Sequence, residues 1–240
     1  MIRKPNFKLN WKYALGEILL IFIGISLAIG FQNWNEGRKN DIARINILTN
    51  LEQELTKDSI SYLRVIELLE GRKSRIDALL KLAQKLPDHI DSTQVLISLT
   101  RAAFITTYSP NFSVYNEPLG SGRLSLIKSN EIKDGMAHFK ANVASGNRIE
   151  DTYHPHSKML EKAVIGFLSK APEIIGYSNV APPSYKNIRF DLSQMVQDQS
   201  FIESLKFARY YTEVEHSFKK GPIMNSLSNL KRLINQELKK

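Results

Sequence analysis

The hydrophobic pattern changes character once along the chain, near residue 35. From Ile18 to Asn35 no residue is charged, and the centre of that stretch is Ile, Leu, Phe and Ala broken only by Gly24, Ser26 and Gly30. Beyond it, apolar residues recur at spacings of three and four, the signature of helices with one buried face. The first such run carries Ile45, Leu48, Leu51, Leu55, Tyr62, Val65, Ile66, Leu69, Ile76, Leu79, Leu80, Ala83 and Leu86. Leu48, Leu55, Tyr62, Leu69, Ile76 and Ala83 fall in strict sevens, while Glu52, Ser59 and Lys73 occupy the position expected for a second seam. Charges there argue against a two-stranded coiled coil and for a bundle helix with a broad apolar face. The run predicts a helix of about 45 residues, about 65 Å long, between about Arg38 and Leu86, stopped by Pro87-Asp88 and packed antiparallel against the C-terminal helices. Its expected inner face is Leu48, Leu55, Ile66, Leu69, Ile76 and Leu80.

Asp91 or Ser92 can cap a second helix reaching Ala103, with Val95, Leu96, Leu99 and Ala102 facing inward. Residues Phe104 to Gly122 are irregular, aromatic and punctuated by Pro110, Pro118 and Gly120, which predicts a packed loop with a short helical turn. Ser129 or Asn130 starts a further helix with Ile132, Met136, Phe139 and Val143 inside; Pro155 is expected to kink or interrupt it before the pattern resumes at Met159 to Leu168. Ala171 to Asp191, with three prolines, reads as an extended connection. Helix returns near Ser200 with Phe201, Leu205, Ala208, Val214 and Phe218 inward, and Gly221-Pro222 should kink or break it before Leu227, Leu230, Ile234 and Leu238. No strand-like alternation of useful length occurs. The fold class expected is all-α: one transmembrane helix followed by an elongated antiparallel helical bundle.

The uncharged stretch reads as a membrane anchor. Its two ends are marked by the chain's only tryptophans, Trp11 and Trp34, whose 23-residue separation spans about 34 Å as a helix, close to a bilayer core plus its interfaces. An indole prefers that boundary because its body is apolar and its N–H needs a polar partner. Tyr13 belongs to the same belt, Glu17 lies about one turn inside the first interface and can reach back to the headgroups, and Gly24 with Ala28 offers a small-residue face for helix approach. A cleavable signal peptide is disfavoured because the apolar run continues through Phe31 and closes on Asn33-Trp34-Asn35. Three segments follow: 1–12 a short basic cytoplasmic segment, 13–34 the span, 35–240 a periplasmic helical domain. Orientation rests on Arg3, Lys4, Lys8 and Lys12, which precede the span with no acid among them, whereas Arg38, Lys39 and Arg44 are interleaved with Glu36 and Asp41. That bias places the N-terminus in the cytoplasm and the bulk of the chain across the inner membrane.

Charge and composition narrow the function classes. The chain carries +9 overall, spread along helix faces without an aromatic-interleaved basic block, which argues against nucleic-acid binding. No cysteine is present, so disulfides, thiolate catalysis and cysteine metal sites are all removed. The best enzyme-like constellation is His154-Pro155-His156 with Glu150, Asp151 and Glu161 nearby. Its spacing does not fit the helical pair of histidines four apart that binds zinc, and His89, His138 and His216 are isolated from it. A solvated turn carrying two histidines is the reading adopted. Phosphate loops, nucleophile elbows and dinucleotide fingerprints are missing, and no catalytic residue, metal or cofactor is expected.

Two segments resemble a known group. Gly16-Glu17-Ile18, followed by the span and then Asn33-Trp34-Asn35-Glu36 and Arg38-Lys39, resembles the opening of a family of uncharacterised single-pass membrane proteins of Gram-negative bacteria. Gly122 to Glu131, with Leu124, Leu126, Ile127, Asn130 and Glu131, is similar to that family's Gly-x-Leu-x-Leu-Ile element and helix start. Pro118 and Gly221-Pro222 depart from its regular helices. The resemblance implies an anchored helical architecture and supplies no mechanism.

The function expected from these features is a membrane-anchored, non-enzymatic helical interaction module of the bacterial envelope. Its partners are the lipid bilayer and either another protein or further copies of itself, with the aromatic loop (Phe104, Tyr108, Phe112, Tyr115 and Arg123) as the candidate contact surface. The competing expectation is a ligand-sensing bundle, or an envelope hydrolase or binding protein, using residues 104–122.

Overall fold

The computed structural model describes residues 11–86, 91–103, 105–167 and 192–240. The expected terminator Pro87-Asp88, Phe104, His89 and the connection at 171–191 lie outside the described residues. All described elements are helical, so the fold class is all-α. In order they are α1 (Trp11–Gln84), α2 (Ser92–Ala103), α3 (Ser113–Gly120), a 3₁₀ turn (Arg123–Leu126), α4 (Asn130–Phe167), α5 (Leu192–Gln197), α6 (Gln199–Phe218), a π-helical turn (Lys219–Ile223) and α7 (Met224–Leu238).

The span and the first bundle helix, expected as separate elements, are one helix. α1 runs 74 residues without interruption, about 110 Å. No proline or paired glycine falls at the junction, and Asn35, Gly37 and Asn40 alone are too weak to break a ladder extended on both sides. The apolar part of α1 is the one described helix long and apolar enough to cross a membrane, and none of it is buried within the molecule. Trp34 caps that section, its ring 5.8 Å from Phe31.

Above the span the chain runs up along α1, down through α2, α3 and the 3₁₀ turn, up along α4 and down through α6 and α7. This is the up-down-up-down order of a four-helix bundle with its second limb broken into short pieces. Antiparallel register between α1 and the C-terminal limb is fixed by four ion pairs: Arg44 with Glu237 at 2.9 Å, Glu52 with Lys231 at 3.6 Å, Lys73 with Glu213 at 3.0 Å and Asp77 with Arg209 at 2.7 Å. Glu52 and Lys73 thus belong to the flank of α1. Its second seam lies one residue earlier, at Leu51, Asp58, Val65, Arg72 and Leu79, all buried. Of the six positions expected on the inner face, five are buried and Leu80 is half-buried against the core, while Ile45 of the same periodic run is exposed.

Of two disruptions expected at prolines, one leaves no break in the helix and the other takes the form of a π turn. α4 continues through Pro155, so His154 and His156 sit on a helix and not in a turn, both exposed. At Gly221-Pro222 the chain widens into the π turn and passes on into α7, because a longer-range ladder accommodates the proline that an α-helical register would reject. Between Phe104 and Gly122 the expected single turn is a two-turn helix, α3, and Gly122 adopts a left-handed φ of 69° that starts the 3₁₀ turn.

The interior is divided. A core distal to the apolar section of α1 joins Ile76, Leu79, Leu96, Leu99, Leu160 and Phe201 with their neighbours. A proximal core, next to that section, joins Leu48, Leu51, Leu55, Phe139, Leu227 and Leu230 with theirs. Close approach in the proximal half depends on Gly135 and Gly146 of α4, where a Cβ would come within 3.1 Å of Leu230 and 3.0 Å of Ile223.

Candidate functional site

Between the two cores lies a polar layer, and it holds the buried charges of the described residues. On α1 it begins at Asp58, which replaces the expected apolar residue between Leu55 and Tyr62 on the inner face. Its carboxylate is fully buried; Tyr108 donates a hydrogen bond to Oδ1 at 2.6 Å and Tyr115 donates one to Oδ2 at 2.5 Å. Burial raises the Asp58 pKa, opposed by those two phenols. The same contact pushes Tyr108 up to about 12, with burial the larger cause, and Tyr115 higher still. Tyr62 meets the Tyr108 ring edge-on at 5.0 Å, and Tyr115 packs on Phe139 at 5.7 Å.

Next along the bundle axis is a four-ion group. Lys219, in the first position of the π turn, is 2 % exposed and bonds Glu150 of α4, with Glu215 at 3.6 Å. Its ammonium also lies 5.9 Å from the centre of the Tyr62 ring. Arg72 of α1 donates from Nε to the Ala102 carbonyl at 2.9 Å, closing the C-terminal end of α2 against α1. The terminal nitrogens of Arg72 and both carboxylate oxygens of Glu215 are buried without a hydrogen-bond partner. Burial dominates both groups: it lowers the Arg72 pKa and pushes Glu215 up to about 7, against the attraction of Lys219 and Arg72. At the rim, His216 Nε2 and Glu70 Oε1 are 3.0 Å apart, and Lys220 reaches the same oxygen at 3.3 Å. Tyr211 completes the layer, donating weakly at 3.4 Å to the carbonyls of Ile149 and Glu150.

Chemically the group is closed and self-neutralising. Two cations face two carboxylates, and none of the four lines either of two grooves on the bundle. The grooves lie elsewhere. One of about 360 Å³ runs between α3, the 3₁₀ turn and α4 over Tyr115, Leu124 and Met136, with Lys133 and Lys140 at its edge. Another, of about 770 Å³, lies between α4 and α7 beside His138 and Asp134. No cluster of three metal-ligating side chains occurs among the described residues. His156 instead lies against Phe207, ring centres 4.7 Å apart.

The aromatic-loop residues divide by burial. Tyr115 is fully buried, Tyr108 and Phe112 are half-buried and Arg123 is exposed, so the loop's aromatic rings face the bundle and its polar side faces outward. The anchor residues Trp11, Tyr13, Glu17, Gly24, Ala28 and Trp34 all lie on the exposed part of α1. Sequence reasoning missed Asp58, Arg72, Glu215 and Lys219. Each occupies an inward position of a strongly periodic helix, three or four residues from buried neighbours on both sides, and that was the available signal.

A family model described as "Family of unknown function (DUF6090)" matches residues 17–140, covering α1 from Glu17 onward, α2, α3 and the start of α4. No curated protein matches the chain, and no solved structure does.

Proposed function

Since the chain belongs to this DUF6090 family of unknown function, we propose on physical grounds that it is a membrane-anchored, non-enzymatic helical interaction module of the bacterial envelope. The observation that carries this reading is the continuity of α1. Its lipid-facing section and its bundle-facing section are one unbroken helix, so the span and the proximal core move as one rod. A flexible tether would suit an enzyme that needs only to be kept near a membrane; a rigid one fixes the height and azimuth of a docking surface. The interior supports the same reading: Lys219 sits between Glu150 and Glu215, and Arg72 closes α2 against α1, so these buried charges serve to join helices. Flanking charge favours a cytoplasmic N-terminus and a periplasmic bundle at the inner membrane.

The test is purification of the full chain from its own membranes in mild detergent, followed by stoichiometry. A protein companion or a further copy retained at fixed ratio is the expected result. Recovery of a lone chain holding one equivalent of metal or a small organic ligand would overturn it.

A second reading, a ligand- or pH-responsive bundle, is favoured by one observation. The π turn after α6 opens with Lys219, a buried member of the polar layer. π turns of this kind concentrate at functional positions.

A further inference from the structure

From the outward face of α1 we infer that the chain forms a parallel homodimer along that helix, with the two bundles turned away from each other. The inference deepens the interaction-module reading by naming the partner, and it rests on that reading.

Helical phase is the first support. At 3.6 residues per turn, residues eighteen apart share one azimuth after five full turns. Leu51 and Leu69, eighteen apart, mark the middle of the face that α1 buries in the bundle. Gly24, Ile42 and Ile60, also eighteen apart, mark the opposite face. Because α1 is unbroken from the bilayer to Gln84, the small-residue patch of Gly24 and Ala28 is in line with the apolar residues outside the membrane. Those residues are large and uncovered: Ile42 is 51 % exposed, Ile60 65 % and Leu63 54 %. A added Cβ at Gly24 would meet nothing within 4 Å, so this face is open to close approach by another helix.

The shape of the face restricts its occupant. A partner covering it from Gly24 to Leu63 must leave the bilayer at the same level, run parallel and stay helical for about 40 Å beyond Trp34. A second α1 meets each condition. Its bundle is then on the far side, since the core face and the outward face are half a turn apart, and the two bundles do not collide. Charge agrees with a two-fold parallel pair: Lys39, Lys57 and Arg64 lie on one flank of the outward face, and Asp41 and Glu67 lie on the other. Two-fold symmetry sets the basic flank of each copy beside the acidic flank of its mate, and Arg38 is the one basic residue on the acidic side. The remaining groups near the centre line include Asn35, Thr49 and Gln53, neutral residues that can hydrogen-bond to their own copies.

The absence of cysteine makes the test clean. Single substitutions Ile42→Cys and Ile60→Cys, with Glu36→Cys and Asn50→Cys as exposed positions off the face, are introduced into the full chain and oxidised in its membranes. A disulfide needs Cα atoms within about 7 Å, so only facing residues will join. The expected result is a shift of most of the chain to twice its mass at Ile42 and Ile60, and little at Glu36 or Asn50. Adding Ile60→Glu to the Ile42→Cys chain should abolish the shift. Equal cross-linking at all four positions, or cross-linking at Ile42 that survives Ile60→Glu, overturns the inference. So does an adduct at Ile60 with a different protein, an outcome that leaves the interaction-module reading standing.

Discussion

Glu215 is the buried group whose perturbation has the most definite sign. Its carboxyl has an ordinary pKa of 4.5 in the unfolded chain and about 7 in the fold, with burial the leading cause. A shift of that size corresponds to about 3 kcal/mol at roughly 1.4 kcal/mol per unit. Because the folded value is the higher one, the unfolded state releases its proton first as pH rises. Below the unfolded value both states hold the proton and nothing is lost. Through the window from about pH 4.5 to 7 the wild-type protein loses stability, and above it carries the full cost of an ionised carboxylate in the core. Glu215→Gln removes the titration while keeping the shape. Relative to wild type, the variant should be near neutral or slightly destabilised at pH 5 and should gain up to about 3 kcal/mol by pH 8. Asp58 shifts in the same direction but is present in both proteins, so it cancels in the difference. The assay is urea unfolding of the full chain in detergent micelles at pH 5, 6, 7 and 8, followed by far-ultraviolet circular dichroism. A difference between the two proteins that does not change across this range would refute the reasoning.

Leu69→Ala, at a position 1 % exposed, should cost about 2 to 5 kcal/mol in the same unfolding assay, whereas Lys57→Ala, on a side chain 71 % exposed, should be nearly silent. Tyr115→Phe leaves Oδ2 of Asp58 without its donor and should cost about 1 to 3 kcal/mol, and the further change Asp58→Asn should recover part of that loss. Gly122→Ala forces a side chain into a left-handed backbone and should cost about 1 kcal/mol, read as a lowered melting temperature. A phosphatase that works only in the periplasm, fused after Lys240, should be active; activity confined to a cytoplasmic reporter would reverse the proposed orientation.

The helical class, the long apolar N-terminal helix and the antiparallel packing of α1 against the C-terminal limb were legible because each follows from periodicity or length, quantities that a single sequence carries. Leu48, Leu55 and Leu69 are buried for the reason their spacing implies. The interruption expected as one alternative at Pro155 does not occur, whereas at Gly221-Pro222 the α-helix does give way, to a π turn whose form local propensity alone does not specify. Tyr211 of α6 meets Tyr153 of α4 at 4.4 Å, and Lys219 of the π turn bonds Glu150 of α4, contacts that join the two stretches across the bundle. The polar layer was hidden for a related reason. A charged residue between apolar ones reads as the edge of a face, and only the partners supplied by distant helices show Asp58, Arg72 and Glu215 to be inside it.

Contact between Arg44 and Glu237 joins residues 193 positions apart. Translation at roughly 5 to 20 residues per second delivers the second of them about 10 to 40 s after the first. Throughout that interval the proximal half of α1 exists with its leucine seam bare, because α7, which covers Leu48 and Leu51, is made long after it. The end of the bundle beside the apolar section of α1 therefore closes late. A premature stop before Met224 would strike that end first, although α7 is remote from it in sequence.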